Sequence, residues 1–180
     1  MSFYGLQLES GSYPTSIIPT SGSTVTRNQE TYTKTGISNL INSEEGVLFL
    51  EMAALTNDLS FRTIALSDGT TNDAVKLYYT STSNSVTMQV RRGGSLEVLS
   101  TFAVSNITDF NKIAVKWKVN DFALWVDGVE RATDTSGSTP IGLNTLALDQ
   151  ATGYNWFGKV KQLQVFKTAL TDSELATLTT

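Results

Sequence analysis

The sequence predicts an all-β fold, an antiparallel sandwich or barrel, that ends in one short helix. Three observations support this prediction. Short apolar or alternating runs recur about every 8 to 12 residues, which is typical of sandwiches and barrels. Turn-forming pairs such as Asp68-Gly69 and Gly93-Gly94 separate these runs. Of the 180 residues, 26 are Thr and 19 are Ser but only 3 are Pro, and Thr favours strands while Ser favours turns.

The composition excludes several kinds of chemistry. The chain has no Cys and no His, so disulfides, thiolate metal sites, cysteine nucleophiles and the Ser-His-Asp triad are excluded. The formal net charge is -4 and only 17% of residues are charged, so we expect no nucleic-acid partner. Residues 1–11 lack the basic start and apolar run of a signal peptide. No apolar stretch is long enough to cross a bilayer, so we expect no membrane partner.

The first 33 residues differ in composition from the rest of the chain. They are rich in Ser, Thr, Gly and Pro and contain one alternating run, at residues 3–9. Pro14 and Pro19 exclude a central strand after that run. We predict a short strand and an extended arm over residues 1–33, followed by a β-sandwich domain over residues 34–180.

Nine strand signals follow the arm. In chain order they cover residues 46–54, 61–66, 75–79, 86–91, 96–102, 112–119, 122–126, 145–148 and 160–166. Each is short, and turn clusters separate them at Asp68-Gly69, Gly93-Gly94, Asn120-Asp121, Asp127-Gly128 and Ser136-Gly137.

One hairpin can be laid out residue by residue. With Asn120-Asp121 as a two-residue turn, Trp117 lies opposite Leu124, and Lys116 lies opposite Trp125. One face then carries only apolar side chains: Val115, Trp117, Val119, Phe122, Leu124 and Val126. That face must be the core face. The pattern therefore predicts that the Trp117 ring is buried and that the Trp125 ring is exposed on the other face, beside Lys116.

The end of the chain predicts a helix of about two turns. Thr171 to Glu174 form a capping box, and Leu170 and Leu175 occupy the positions of a hydrophobic staple. So short a helix is not stable alone. We expect it to dock on the sandwich and to cover one end of the core through Leu175 and Leu178.

Two parts of the sequence carry a family resemblance. Residues 112–128 resemble the central signature of concanavalin A-like, laminin G-like jelly rolls, in which a strand of the type I-A-V-T-W precedes L-Y-V-D-G. Residues 157–175 resemble that family's closing strand and its A-L-S-x-x-E helix. The resemblance covers about residues 35–180. It implies an antiparallel two-sheet jelly-roll sandwich with one short C-terminal helix.

A second similarity concerns the arm. Residues 7–27 are similar to a connector found before such domains in phage tail and other virion proteins. This similarity implies a module of a larger virion or extracellular protein. Fibre modules are often trimers, so we also expect self-association through the arm, with a trimer as one expected state.

The distribution of Asp and Glu along the predicted strands argues against catalysis. The glucanases of this superfamily resemble one another in a strand motif E-x-D-x-x-E, and glycosidic cleavage needs such a pair of carboxylates. Residues 51–58 form the nearest comparable run, but Asp and Glu are missing at the later positions of the motif. Glu97 is likewise the only acid in its strand. We therefore expect no enzymatic activity.

A sugar site needs flat aromatic rings and planar polar groups. The first candidate is Trp125 with Lys116. Its alternative is a ring held against the outer sheet face by a cation–π contact with that lysine.

Two other surfaces are also candidates. The loop at 149–156 offers Tyr154, Asn155 and Trp156, unless Trp156 closes the core at a sheet corner. The outer face of the strands at 75–79 and 86–91 offers Lys76, Tyr78, Gln89 and Arg91. Its alternative is an ordinary half-solvated sheet face.

Calcium is the cofactor that the family resemblance implies. Loop carboxylates and carbonyls would hold it, and Asp68 and Asp73 are the candidate ligands. No loop reproduces a calcium-binding repeat, and Asp residues in loops also form turns without metal.

Three functional hypotheses follow. The first is a non-catalytic, lectin-like carbohydrate-binding module, a phage tail or virion adhesin that contacts cell-surface or environmental polysaccharide. The second is a structural virion domain that binds other protein subunits and has no sugar site. The third is a polysaccharide hydrolase or lyase whose carboxylates the pattern does not reveal.

Overall fold

The computed structural model describes residues 17, 19, 22, 32–149 and 154–180. The chain divides into two compact units, Met1–Thr31 and Tyr32–Thr180. The predicted arm therefore falls almost entirely outside the described residues, and its boundary at residue 33 stays a prediction. Within the described ranges, no helix has the length and apolar character needed to span a bilayer.

Eleven strands and one helix make up the described part of the second unit. The strands are β1 (Thr33–Lys34), β2 (Glu45–Ala54), β3 (Arg62–Ser67), β4 (Ala74–Tyr79), β5 (Ser85–Arg92), β6 (Ser95–Ala103), β7 (Asn111–Lys118), β8 (Phe122–Val126), β9 (Val129–Asp134), β10 (Thr145–Ala147) and β11 (Gly158–Phe166), and the helix is α1 (Asp172–Thr179). All nine predicted strands are confirmed to within two residues. Two strands were not predicted: β1, which has two residues, and β9, whose residues are mostly polar or charged and exposed.

The strands form two antiparallel sheets, which confirms the predicted jelly-roll sandwich. One sheet has six strands in the order β1-β10-β3-β4-β5-β6, and the other has five in the order β11-β2-β7-β8-β9. The core lies between them. It is built from alternate side chains of each strand, such as Leu48 and Leu50 of β2 and Ile64 and Leu66 of β3.

Trp117 is fully buried in this core, as predicted. Its indole Nε1 donates a hydrogen bond to the backbone oxygen of Asn42, at 3.1 Å. Gly46 faces the ring so closely that a Cβ there would lie 2.4 Å from it. Only glycine therefore fits at residue 46 without moving the indole.

The β7–β8 hairpin has the predicted faces but a different register. Lys116 pairs with Ala123, and Trp125 pairs with Ala114, so the predicted pairing of Lys116 with Trp125 is wrong by two residues. The cause is the turn. Asp121 N donates to Lys118 O at 2.9 Å, so the two turn residues are Val119 and Asn120, one position earlier than predicted. A shift of two residues leaves every side chain of the strands on its face.

Val119 is the exception to the predicted faces. It is the first of the two turn residues, and it is 53% exposed instead of buried in the core. The next turn matches the prediction. Asp127 and Gly128 both have positive φ and connect Val126 directly to Val129, as expected of a two-residue hairpin turn.

The capping box of α1 is confirmed. The Thr171 side chain accepts a hydrogen bond from Glu174 N, and the Glu174 side chain accepts one from Thr171 N. The expected position of the helix is wrong. Instead of covering an end of the core, α1 packs on the outer face of the five-stranded sheet, where Leu175 is fully buried against Val47, Phe49 and Trp125.

Candidate functional site

Trp125 does point away from the main core, but it is not exposed. Only 7% of the residue is accessible, because α1 and the side chains around Leu175 cover the outer face of β8. The prediction of an exposed Trp125 ring is therefore wrong, and this ring offers no free stacking surface.

Lys116 is buried next to this cluster and is held by carboxylates, not by an indole ring. Its Nζ lies 2.7 Å from Asp121 and 3.6 Å from Asp172. Nearby, burial raises the pKa of Glu130, and the negative charges of Asp172 and Asp121 raise it further. Lys116 thus holds the turn before β8 and the start of α1 against the sheet, which is a structural role.

The second candidate site is split by the structure. Asn155 is buried, and Trp156 packs against the core, where its ring stacks on Tyr79 with centroids 5.3 Å apart. The alternative in which Trp156 closes the core is therefore the observed one. Tyr154 alone remains accessible, with 44% of its surface exposed.

The third candidate site is the outer face of the six-stranded sheet. Residues that pair directly across antiparallel strands share a face, so the pairings define three outward rows. The rows are Thr63, Tyr78, Thr87 and Thr101; Ala147, Ala65, Lys76, Gln89 and Leu99; and Thr145, Ser67, Ala74, Arg91 and Leu96. We call these three rows the six-stranded face. Small side chains predominate on β3 and β10, and the long polar ones stand on β4 and β5.

Polar groups are concentrated at the middle of the six-stranded face. Lys76 lies directly opposite Gln89, and Arg91 lies two residues further along β5, in the next outward row. Burial lowers the pKa of Lys76 to about 8, and the positive charge of Arg91 contributes to the decrease. Arg91 donates to the backbone oxygen of Gly94 in the β5–β6 turn, and its buried Nε has no partner among the described residues.

An aromatic group adjoins these polar residues. The Phe61 ring lies 6.3 Å from the Tyr78 ring and 5.1 Å from the Tyr154 ring, measured between centroids. A backbone hydrogen bond from Thr63 N to Tyr154 O, at 3.0 Å, places the end of the 149–156 loop beside β3. Tyr78 and Tyr154, predicted as parts of two separate candidates, therefore belong to one surface.

Sequence reasoning missed Phe61 as a site residue. It was assigned only to a strand, and its position next to Tyr78 depends on the pairing of β3 with β4. The available signal was weak: Phe61 and Thr63 are two residues apart, so they share a face if the strand begins at Phe61.

The two candidate metal ligands have other partners. Both oxygens of Asp73 accept backbone hydrogen bonds, one from Gly93 at 3.1 Å and one from Ile141 at 2.9 Å. Asp68 accepts from the backbone and side chain of Thr70. No group of three His, Cys, Asp or Glu side chains suited to a metal occurs in the described part of the chain. Calcium binding at this loop stays a prediction.

The carboxylate nearest to the glucanase pattern is engaged in an ion pair. Glu51 is only 7% exposed, and its Oε1 lies 2.6 Å from Nζ of Lys161. This arrangement neutralises the acid at the outer face of the five-stranded sheet, on β2.

The fold and this face together define a class: two-sheet β-sandwiches of the lectin type. The family comparison agrees, since residues 52–176 match the model of the concanavalin A-like lectin/glucanases superfamily. The chain therefore belongs to that superfamily. A comparison with curated protein sequences found no significant match.

Solved structures of similar fold include a carbohydrate-binding module of a sialidase and a domain of an arabinanase. The CBM40 module of the Ruminococcus gnavus IT-sialidase, bound to α2,3-sialyllactose, superposes with a TM-score of 0.64 at 20% identity, covering 77% of this chain and 84% of that module. Domain 4 of AbnA, a GH43 arabinanase from Geobacillus stearothermophilus bound to arabinotriose, gives 0.60 at 16% identity, covering 78% and 69%. At these identities the similarity establishes the fold.

Proposed function

We propose that this chain is a non-catalytic carbohydrate-binding module and that its sugar site is the six-stranded face together with Phe61 and Tyr154. The observation that carries the proposal is the meeting of accessible aromatic rings with half-buried polar side chains on one surface. Phe61 is 39% exposed and Tyr154 44% exposed. Phe61 lies next to Tyr78 of β4, and Tyr154 lies next to Phe61.

The two kinds of group suit the two surfaces of a sugar. A pyranose ring has an apolar face of C–H groups that packs on an aromatic ring, and Phe61 and Tyr154 supply such rings. Its hydroxyls need donors and acceptors at the ring edge. The Gln89 amide supplies both, and the Lys76 ammonium supplies donors. Because these groups stand on paired strands, the scaffold keeps them in place before binding.

The proposed absence of catalysis rests on the lack of a carboxylate pair at the proposed sugar site. Cleavage of a glycosidic bond needs two carboxylates across the bond, and the three rows of the six-stranded face contain none. Glu51 is paired with Lys161 on the other sheet. The similar folds that bind sialyllactose and arabinotriose support binding as the role of this architecture.

For the biological setting we propose a phage tail or other virion adhesin that contacts cell-surface polysaccharide outside the cell. The similarity of residues 7–27 to virion connectors supports this setting. In the same setting, self-association through the N-terminal arm would present several sugar sites at once and raise the avidity.

A glycan array that includes α2,3-sialyllactose and arabinotriose tests the proposed function. The wild-type chain is expected to bind at least one glycan, and Tyr154→Ala is expected to weaken that binding about tenfold, or about 1.4 kcal/mol. Phe110→Ala is the matched control, because Phe110 is 41% exposed but contacts Lys161, away from the proposed site. Absence of binding to every glycan would overturn the proposal. Absence of binding combined with stable self-assembly would favour the structural virion role.

A further inference from the structure

We propose that the sugar recognised by the six-stranded face is acidic, and that Lys76 and Arg91 bind its carboxylate. This inference rests on the proposed function and names the class of ligand. It starts from an imbalance of charge on that face.

The six-stranded face carries two cations and no acid. Lys76 and Arg91 lie on adjacent strands in neighbouring outward rows, with Arg91 two residues along β5 from the partner of Lys76, and the other members of the three rows are uncharged. Asp149, which follows β10, forms no ion pair with either cation, and Asp73 uses both carboxylate oxygens for the backbone N–H groups of Gly93 and Ile141. Two like charges are therefore held together at a partly desolvated position, which is unfavourable without a counter-charge.

Elsewhere in the described ranges, cations that are buried or that contact buried acids have ion-pair partners. Lys116 lies 2.7 Å from Asp121, Lys161 lies 2.6 Å from Glu51, and Arg62 lies 2.6 Å from Asp58. Among the described residues, no ion pair includes Lys76 or Arg91.

Acids are in excess in the chain as a whole, with 17 Asp and Glu against 13 Lys and Arg. Composition therefore does not explain why no acid in the described part of the chain pairs with Lys76 or Arg91. A ligand carboxylate supplies the missing charge.

The surrounding residues suit an acidic sugar better than a simple anion. The Gln89 amide stands directly opposite Lys76 and can bind a hydroxyl next to the carboxylate. Tyr78 lies two residues along β4 from Lys76, about 7 Å away, and its ring leads to Phe61. If Lys76 and Arg91 hold the carboxylate of an acidic sugar, the rest of that sugar ring, or the next ring of the glycan, lies toward Tyr78 and Phe61.

Calorimetric titration with two matched pairs of ligands tests the inference. The pairs are α2,3-sialyllactose with lactose, and trigalacturonate with its methyl ester, and within each pair only the acidic ligand carries carboxylates. At least one acidic member is expected to bind ten times or more tightly than its neutral partner. Lys76→Gln is expected to remove most of this preference, while Lys159→Gln, on an exposed lysine of β11, leaves it unchanged.

The outcomes separate this inference from the proposed function. Equal affinity for the acidic and neutral members would overturn the inference, as would an unchanged preference in Lys76→Gln with an unchanged melting temperature. Binding of a neutral sugar such as arabinotriose, weakened by Tyr154→Ala, would then leave the proposed function standing. Absence of binding to acidic and neutral sugars alike would overturn both.

Discussion

The rings of Phe61 and Tyr154 lie 5.1 Å apart, although one precedes β3 and the other follows β10. The backbone hydrogen bond from Thr63 N to Tyr154 O holds Tyr154 beside β3 and brings the two rings together. As a result, the aromatic side chains of a loop and the polar side chains of two strands form one continuous surface. This surface is the basis of the proposed function.

Trp125→Ala is expected to reduce stability and not to remove a sugar contact. Its ring is buried between β8 and α1, and removal of a buried Trp side chain costs about 3–5 kcal/mol. Urea unfolding measures the loss. Val129→Ala, at a residue that is 46% exposed, is the control and should change stability by less than about 0.5 kcal/mol. Wild-type stability in Trp125→Ala would show that the helix does not cover the ring.

Thr171→Ala is expected to destabilise the domain by about 1 kcal/mol, because it removes the side chain that caps α1. Thr171→Ser keeps the hydroxyl and should behave like the wild type. Thermal or urea unfolding of the two variants gives the comparison. If the two were equally destabilised, the loss would come from packing and not from the cap.

Glu130→Gln is expected to stabilise the protein at neutral pH. Burial and the charges of Asp172 and Asp121 raise the pKa of Glu130, while Lys116 opposes them. A raised pKa in the folded protein means that the ionised carboxylate is less favourable there than in the unfolded chain, so ionisation lowers the free energy of unfolding above the folded pKa. This loss disappears at pH values below the unfolded pKa of about 4.5, where the carboxyl is protonated in both states. The melting temperature should therefore rise at pH 7 and match the wild type as the pH falls below 4.5.

The control for this prediction is Glu44→Gln, which changes an exposed carboxyl outside the Lys116 cluster. It should shift the melting temperature little at either pH. A lower melting temperature of Glu130→Gln at pH 7 would mean that attraction to Lys116 outweighs the two repulsive charges.

Binding of an acidic sugar is expected to weaken as the pH rises above about 8. Burial and Arg91 lower the pKa of Lys76 to about 8, so above that pH the free protein loses the charge that attracts the ligand. The other groups that face Lys76 do not titrate in this range: Gln89 is neutral, Ala65 is apolar, and burial raises the pKa of Tyr78. Titrations with α2,3-sialyllactose between pH 6 and pH 9 measure the effect, at roughly one-unit steps around the value of about 8.

In Lys76→Gln the same titrations should show no such decline. A decline of equal size in the variant would assign the pH dependence to another group, and a flat profile in the wild type would mean that Lys76 does not contact the ligand.

The fold was predictable because strand patterns have a period of two. That period gave the faces of β7 and β8 correctly, even though the turn residues are Val119 and Asn120 instead of Asn120 and Asp121. The covering of Trp125 depends on where α1 docks, which is a long-range contact. One signal was present in the sequence: a continuous apolar run such as residues 46–50 is typical of a strand covered on both sides. The structure shows that β2, which contains this run, is buried on both faces.

The site was predictable only in parts. Lys76, Tyr78, Gln89 and Arg91 follow from alternation within β4 and β5, and the structure confirms that they share a face. The contribution of Tyr154 and Phe61 to the same surface depends on how β3 pairs with β4 and on the path of a loop. A single sequence does not contain that information in any local pattern.

The most direct test of the central claim is an NMR titration of the ¹⁵N-labelled protein with α2,3-sialyllactose, or with whichever glycan the array identifies. We predict that the amide signals that shift belong to β3, β4 and β5 and to the residues around Phe61 and Tyr154. Shifts confined to α1 and the strands beneath it, or to the loop groove lined by Glu44, Arg92 and Ile141, would contradict the proposed site.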